Sequence, residues 1–422
     1  MFRKFIYLLW ISIALSASIS DINANRVANN LIAERSNRDD LSISSYELIQ
    51  EGNIGFYYIF HLNPVGFIIV AADDRSVPIL GYSFENNFII NVDRNTNATH
   101  LLNTFKNEIL NAIENNINQE ESIALKWQKY LSANIDPLNT RTVTPLLTAR
   151  FDQGVTWNEE CPEDGAGPGG HALVGCVAVS MAQVMYYWEY PTVGTGSEGY
   201  NSPYGYLSAN FGNTTYNYAE MESNTGNYHS QILSFHCGVA VNMNYGPDGS
   251  GAYVMGGGQS ARNAMRNYFG FQNNILQAYP ENYSTSAYRQ LLQDDLDVNR
   301  PIIYRACSTD GCHAWNIDGY EEDEFHCNWG WGGYNNGYFP LSTLGGFSWD
   351  QGALLNLEPE DLDVPHIVLN EFTSNEINGD FDNIINPGET VEIVIDLENY
   401  IPWSNATNLE VVLDSPYNDI NI

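Results

Sequence analysis

Apolar residues recur along the chain with three different periods, and each period predicts a different kind of element. Phe5 to Leu15 (FIYLLWISIAL) is an apolar run of 11 residues, interrupted only by Ser12, between a cationic Met-Phe-Arg-Lys start and the small residues SASIS. That layout predicts a signal peptide over residues 1–20, cut near Ser16 to Ser20, because the run is too short to cross a bilayer. No later stretch reaches about 18 apolar residues, so no membrane span is expected. Gly55 to Phe60 (GFYYIF) and Gly66 to Ala71 (GFIIVA) read as strands joined through the turn signal Asn63-Pro64-Val65. Leu102, Phe105, Ile109, Ile113 and Ile117 then recur at helical spacing. Val177, Met181, Val184 and Trp188 form a second helical stripe, ended by Pro191. Near the far end Val391, Ile393, Ile395 and Leu397 alternate with Glu392 and Asp396, the period of a half-buried strand, which Val394 interrupts. The segment NLEVVLD reads as another strand.

These elements divide the chain into a signal peptide (1–20), a small α+β unit (21–140), a central unit (141–360) and a β-rich tail (366–422). Residues 134–144 (NIDPLNTRTVT) are polar and aperiodic, an exposed connector and a site for proteolytic nicking. The first unit carries no cysteine, and its histidines, His61 and His100, stand apart. An immunoglobulin-like sandwich needs about 100 residues. The tail supplies about half of that, so it reads as a truncated Ig-like segment.

Composition narrows the partners. The 422 residues are 44% hydrophobic and 13% aromatic, enough for several folded domains. Seventeen basic residues against 51 acidic ones give a net charge of −34, and no basic run appears. That argues against nucleic acid and against an anionic membrane surface as partners. An acidic surface suits a soluble, exported protein. Export permits disulfides among Cys161, Cys176, Cys237, Cys307, Cys312 and Cys327, but their density is low for a disulfide scaffold.

Cys176 stands at a predicted helix start, where unpaired N–H groups and the helix dipole favour thiolate over thiol. A small cysteine packed under the helix is the competing reading. A thiolate nucleophile needs a histidine base and a residue to orient it. His313, in DGCHAWNIDGY, follows a glycine turn into a short apolar strand, a placement that suits a base facing a cleft. His171 precedes Cys176 by only five residues and reads as a bystander. In NWGWGGYNNGYF, Asn328 stands where it would bond the imidazole, with Trp329 and Trp331 to cover the pair. Gln153, 23 residues before Cys176, is a candidate oxyanion donor together with the Cys176 N–H.

The blocks GCVAVSMAQVMYYWEYP, MNYGPDGSGA with RNAMRNYFGF, GCHAWNIDGY and CNWGWGGYNNGYFPLS resemble, in order and spacing, the streptopain family of secreted cysteine peptidases. GFIIVAADDRSVPILGYS resembles that family's inhibitory propeptide, so the likeness spans residues 21–358. The resemblance implies an α+β, papain-like catalytic domain in two lobes, made as a zymogen and activated by losing its propeptide. It implies Cys176 as nucleophile, His313 as base and Gln153 as oxyanion donor. By the same resemblance Trp329, with Asn328 beside it, would take much of the place of papain's orienting asparagine. It further implies a mobile loop around Tyr245 to Gly258 at the cleft, and a preference for a hydrophobic residue two positions before the cut. No cofactor is expected; the partners are protein and peptide substrates and the chain's own propeptide. Cys307 and Cys312 depart from the family pattern, and a bridge there would stiffen the histidine loop.

Other readings use the same residues. Cys307, Cys312, His313, His326 and Cys327 form a C-x4-C-H-x12-H-C set that lacks the close ligand pairs of common zinc sites. A non-catalytic surface-binding protein would use the aromatic residues on glycan. An amidase or transglutaminase would share the Cys-His chemistry. INGDFDNIINPGE, residues 377–389, partly matches a calcium loop and reads more simply as a turn.

Overall fold

The computed structural model describes residues 18–89, 97–133, 135–137, 142–308, 311–342, 350–360, 367–379 and 389–399, with 407 and 409. The apolar run at 5–15, nearly all of NLEVVLD, most of 377–389 and part of the 134–144 connector lie outside these residues. Two compact units result, Met1–Glu358 and Pro359–Ile422.

Helix α1 (Asp21–Arg35) opens the first unit, its first turn capped by Ser20, whose Oγ accepts from the Asn23 N–H. Strands β1 (Ser42–Glu51), β2 (Ile54–Asn63), β3 (Phe67–Ala71) and β4 (Ile79–Ser83) follow as an antiparallel meander. The two apolar runs predicted as strands are β2 and β3, and both are almost wholly buried. Helix α2 (Asn97–Glu114) buries Leu101, Leu102, Phe105 and Ile109. Ile117, expected on that stripe, lies past the helix end and is 40% exposed. Asn116 takes a left-handed φ of 48°, a conformation asparagine tolerates, and the helix stops before it. Helix α3 (Glu121–Tyr130) completes this region.

After the short β5 (Thr142–Val143) comes α4 (Cys176–Trp188), the central helix. Its predicted stripe is buried, and so are Ala178, Val179, Ser180, Ala182, Gln183 and Met185 on the other faces. A helix apolar on all sides is a core helix, and α4 packs between α5 (Tyr228–Ala240) and the sheet. The hairpin β6 (Glu198–Ser202) and β7 (Gly205–Ala209) and helix α6 (Ala261–Asn267) complete the helical half. The sheet half consists of β8 (Leu276–Ala278), helix α7 (Thr285–Leu296), and strands β9 (Ile302–Ser308), β10 (Gly311–Glu321), β11 (Glu324–Asn328), β12 (Gly337–Phe339) and β13 (Asp350–Leu355).

All but two of these strands form one sheet of order β1-β2-β3-β4-β12-β11-β10-β9-β13-β8, with β5 on β10 and the β6–β7 hairpin apart. The regions that the sequence separates are therefore continuous. The seam is β4 against β12, where Tyr82 pairs with Tyr338 and the rings stack 5.1 Å apart. One hydrophobic core runs across it, from Phe56 and Phe67 to Phe339, Trp329 and Trp315. Gly81 makes the close approach possible, since a Cβ there would sit 2.5 Å from the Phe339 ring.

In the second unit β14 (Ile367–Asn378) and β15 (Thr390–Asn399) pair antiparallel. The predicted alternation is that of β15, with Val391, Ile395 and Leu397 half-buried and Ile393 exposed.

Candidate active site

Cys176 is the first residue of α4, and its side chain is half-buried. Gly175 before it has φ 94°, and a Cβ at that position would come within 2.7 Å of Met243 and 3.1 Å of Ser250. Only glycine fits that left-handed, crowded entry. Three backbone N–H groups, those of Ala314, Val177 and Cys176 itself, bond to the Cys176 sulfur and favour the thiolate. Burial is the larger effect and opposes them, so the thiol stands above its ordinary value. This corrects the expectation of a helix start that depresses the pKa. The N–H groups are present, but desolvation of the sulfur outweighs them.

His313 lies on β10, opposite Ala306 of β9 and next to the Ala314 whose N–H reaches the Cys176 sulfur. Cys176 from the helical half and His313 from the sheet half line one cavity of about 500 Å³. Gln153 lines it too. The Gln153 main chain is pinned on both sides: its N–H donates to Asp152 Oδ1 at 2.6 Å and its carbonyl accepts from the Val174 N–H at 3.0 Å. The Gln153 residue is 4% exposed, and its Nε2 has no hydrogen-bond partner among the described residues.

Asn328 and Trp329 sit at the end of β11 but do not line the cavity. Asn328 Nδ2 donates to the Ala149 carbonyl at 2.7 Å, and its Oδ1 accepts from the Gly330 N–H at 3.3 Å. Trp329 is 1% exposed and packs on Trp315 and Phe339, each ring 5.2 Å away. Its Nε1 donates to the Asn335 carbonyl at 2.8 Å. Trp331 is the tryptophan that lines the cavity, and its Nε1 has no partner among the described residues. His171 also stays outside the lining; its Nδ1 is 2.9 Å from the Cys161 carbonyl.

The other cysteines are accounted for. Cys307 and Cys312 are joined by a disulfide across β9 and β10, with Cα atoms 4.0 Å apart, and Cys312 lines the cavity beside His313. The bridge thus joins β9 to the histidine strand β10. Cys161, Cys237 and Cys327 are buried free thiols, and burial pushes Cys161 up to about 12. With two cysteines bonded to each other and His326 Nδ1 held 2.6 Å from Asp318 Oδ1, the residues of the zinc reading are otherwise engaged.

One buried bracket escaped the sequence reading. Gln183, in the middle of α4, donates through Nε2 to Asn316 Oδ1 of β10 at 2.8 Å, and its Oε1 accepts from the Phe151 N–H at 3.3 Å. Asn316 Nδ2 in turn donates to the Ser180 carbonyl at 3.2 Å. Both side chains are 0% exposed, so one amide pair ties the cysteine helix, the histidine strand and the Gln153 segment together. Its signal was a single amide side chain inside a largely apolar helix.

Residues 151–339 match the peptidase C10 family, and residues 16–109 match the Spi protease inhibitor family. Streptopain from Streptococcus pyogenes is 26% identical over 355 residues, 76% of this chain and 85% of that protein. The thiol protease/hemagglutinin PrtT of Porphyromonas gingivalis is 25% identical across 97% of this chain and 49% of its own length. The structure of a prointerpain A fragment from Prevotella intermedia superposes with a TM-score of 0.60 at 29% identity, covering 75% of this chain and all of that one. An inhibitor-type region ahead of a two-lobed α+β domain defines a cysteine peptidase made as a zymogen. The chain belongs to the peptidase C10 family, that of the streptopain-like enzymes.

Proposed function

We propose that the protein is an exported endopeptidase acting on protein substrates, in which Cys176 is the nucleophile, His313 the base and Gln153 the oxyanion donor. One observation carries the assignment: a buried amide nitrogen, Gln153 Nε2, without a partner among the described residues, lining the same cavity as a half-buried thiol and a histidine. Leaving a buried donor unpaired costs about 1–3 kcal/mol, and an oxyanion formed during reaction removes that cost. The cationic, apolar and small-residue layout of residues 1–20 supports export.

In the mature enzyme His313 takes the Cys176 proton, and the thiolate attacks the peptide carbonyl. Gln153 Nε2 and the Cys176 N–H donate to the oxyanion. The His313 imidazolium then protonates the leaving amine as the C–N bond breaks. His313, neutral again, takes a proton from water, whose oxygen attacks the thioester; the acid leaves and Cys176 recovers its proton. Trp331 shields the cavity, and Asn328 with Trp329 braces the end of β11, the strand paired with the histidine strand β10. Residues 21–140 act as intramolecular inhibitor, and the enzyme cuts itself in or near 134–144.

The test expresses wild type and Cys176→Ala from residue 21 and follows mass and casein hydrolysis. Wild type should shorten and hydrolyse casein, while the alanine variant stays full-length and inert. An alanine variant that matures unaided and cleaves casein equally well contradicts the assignment.

A further inference from the structure

The segment Gly246–Gly251 carries a carboxylate to the cavity that the reaction does not use. Asp248 lines it together with Pro247, Gly249 and Ser250. Among the described lining residues it is the sole carboxylate, and no lysine or arginine accompanies it. Asp248 is exposed, and it has no hydrogen-bond or ion-pair partner among the described residues. Its charge is left for something that enters.

The loop is fixed relative to Cys176. Asn244 and Gly251 exchange both backbone bonds, at 2.9 and 3.1 Å, and close the loop base. Ser250 Oγ donates to the Leu173 carbonyl at 2.6 Å, and the Leu173 N–H donates to the Gly246 carbonyl at 3.1 Å. Leu173 lies three residues before Cys176, and Ser250 and Met243 pack on Gly175. The backbone that carries Asp248 is thereby tied to the segment leading into Cys176. Space is open on the loop: a Cβ at Gly249 or Gly251 would meet nothing within 4 Å.

From this we infer that Asp248 is a specificity-determining residue, selecting substrates that carry lysine or arginine close to the scissile bond. The inference rests on the peptidase reading above. An entering ammonium or guanidinium pairs with the carboxylate while its methylene stem lies along Pro247 and Trp331. An acidic side chain meets like charge there. The net charge of −34 adds a field that draws cationic peptides and repels anionic ones.

The experiment uses the matured enzyme and paired fluorogenic peptides that differ only by lysine or methionine, the lysine being moved through each position flanking the cut. At one position kcat/KM should favour lysine about fivefold, the upper range for an exposed pair, and the ratio should shrink at about 0.5 M salt. Asp248→Asn should bring the ratio close to one, and Asp248→Lys should turn the preference toward glutamate. A wild-type enzyme with no lysine preference at any position, or an Asp248→Asn enzyme that keeps it, overturns the inference while the peptidase reading stands. Failure to cleave any peptide, with no labelling of Cys176 by a thiol-directed epoxide, sinks both.

Discussion

Arg35 and Gln153 are both polar side chains almost sealed from solvent, and their surroundings treat them in opposite ways. The Arg35 side chain is 1% exposed, and all its N–H donors are matched: Nε to Glu34, Nη1 to Tyr82 and Glu324, Nη2 to Tyr130 and Glu322, at 2.8 to 3.2 Å. Lys129 and Lys126 of α3 add bonds to Glu322 and Asp323. Burial pulls the Glu34 carboxyl up, but the bonds from Lys129 and Tyr130 and the Arg35 charge outweigh it and leave it below its ordinary value. Gln153 Nε2 has none of this company. A saturated polar cluster fixes structure, whereas an unsatisfied buried donor that lines a cavity is available to an entering acceptor. The saturated cluster lies between the inhibitor-like region and the Glu321–Glu324 turn that joins β10 to β11. It grips the far end of the histidine strand.

Removing Arg35 should produce the largest stability change. Arg35→Ala leaves Glu34 and Glu324 buried without their shared cation, and denaturant titration of the full chain should show a loss of about 3–5 kcal/mol. The loosened inhibitor region should also speed maturation. A loss under about 1 kcal/mol would mean the cluster is no stronger than a surface pair, and the contrast with Gln153 would fail. Gln153→Ala should cost about 10²- to 10³-fold in kcat, the range for an oxyanion donor, with stability barely altered because no native bond is lost. An unchanged kcat would make Gln153 a packing residue.

His236 offers an intermediate case. It is buried with a single neutral partner, the Tyr216 hydroxyl 3.0 Å from Nδ1, and burial pushes its pKa down to about 4. The folded protein therefore holds the ring neutral while the unfolded chain takes up a proton near pH 6.5. Stability should fall as pH drops from 6.5 to about 4 and level off below, by about 3 kcal/mol from this group. His236→Gln should flatten that part of the stability–pH curve; an unchanged curve would mean the ring is not desolvated. The smallest effect should come from the Cys307–Cys312 bridge. It closes a loop of separation 5, for which chain entropy gives about 2 kcal/mol. Cys307→Ser with Cys312→Ser should lower thermal stability by that order and lower kcat through a looser His313. Unaltered kcat would confine the bridge to stability.

The Arg35 cluster left no signal in the residues; parts of the fold and of the site did, and what was not legible has a physical reason. The runs that became β2, β3 and α4 carry their period locally, so they could be read. The sheet's continuity could not, because it depends on Tyr82 meeting Tyr338 across 256 positions, and nothing local encodes that register. Cys176, His313 and Gln153 were visible as chemistry at suggestive places and do meet at one cavity. Trp329 and Trp331 differ by two residues in one motif, and only packing decides which faces the core and which the cleft. The thiol's raised pKa depends on desolvation by neighbours distant in sequence, which a helix-terminus argument omits.

The most direct measurement maps where a thiol-directed epoxide alkylates the matured enzyme, by peptide mass. If Cys176 is the activated nucleophile, the adduct forms there and His313→Ala slows it strongly, while Cys161, Cys237 and Cys327 stay unmodified in the folded protein. An adduct spread over the buried thiols, or one at Cys176 whose rate ignores the loss of His313, would contradict the assignment.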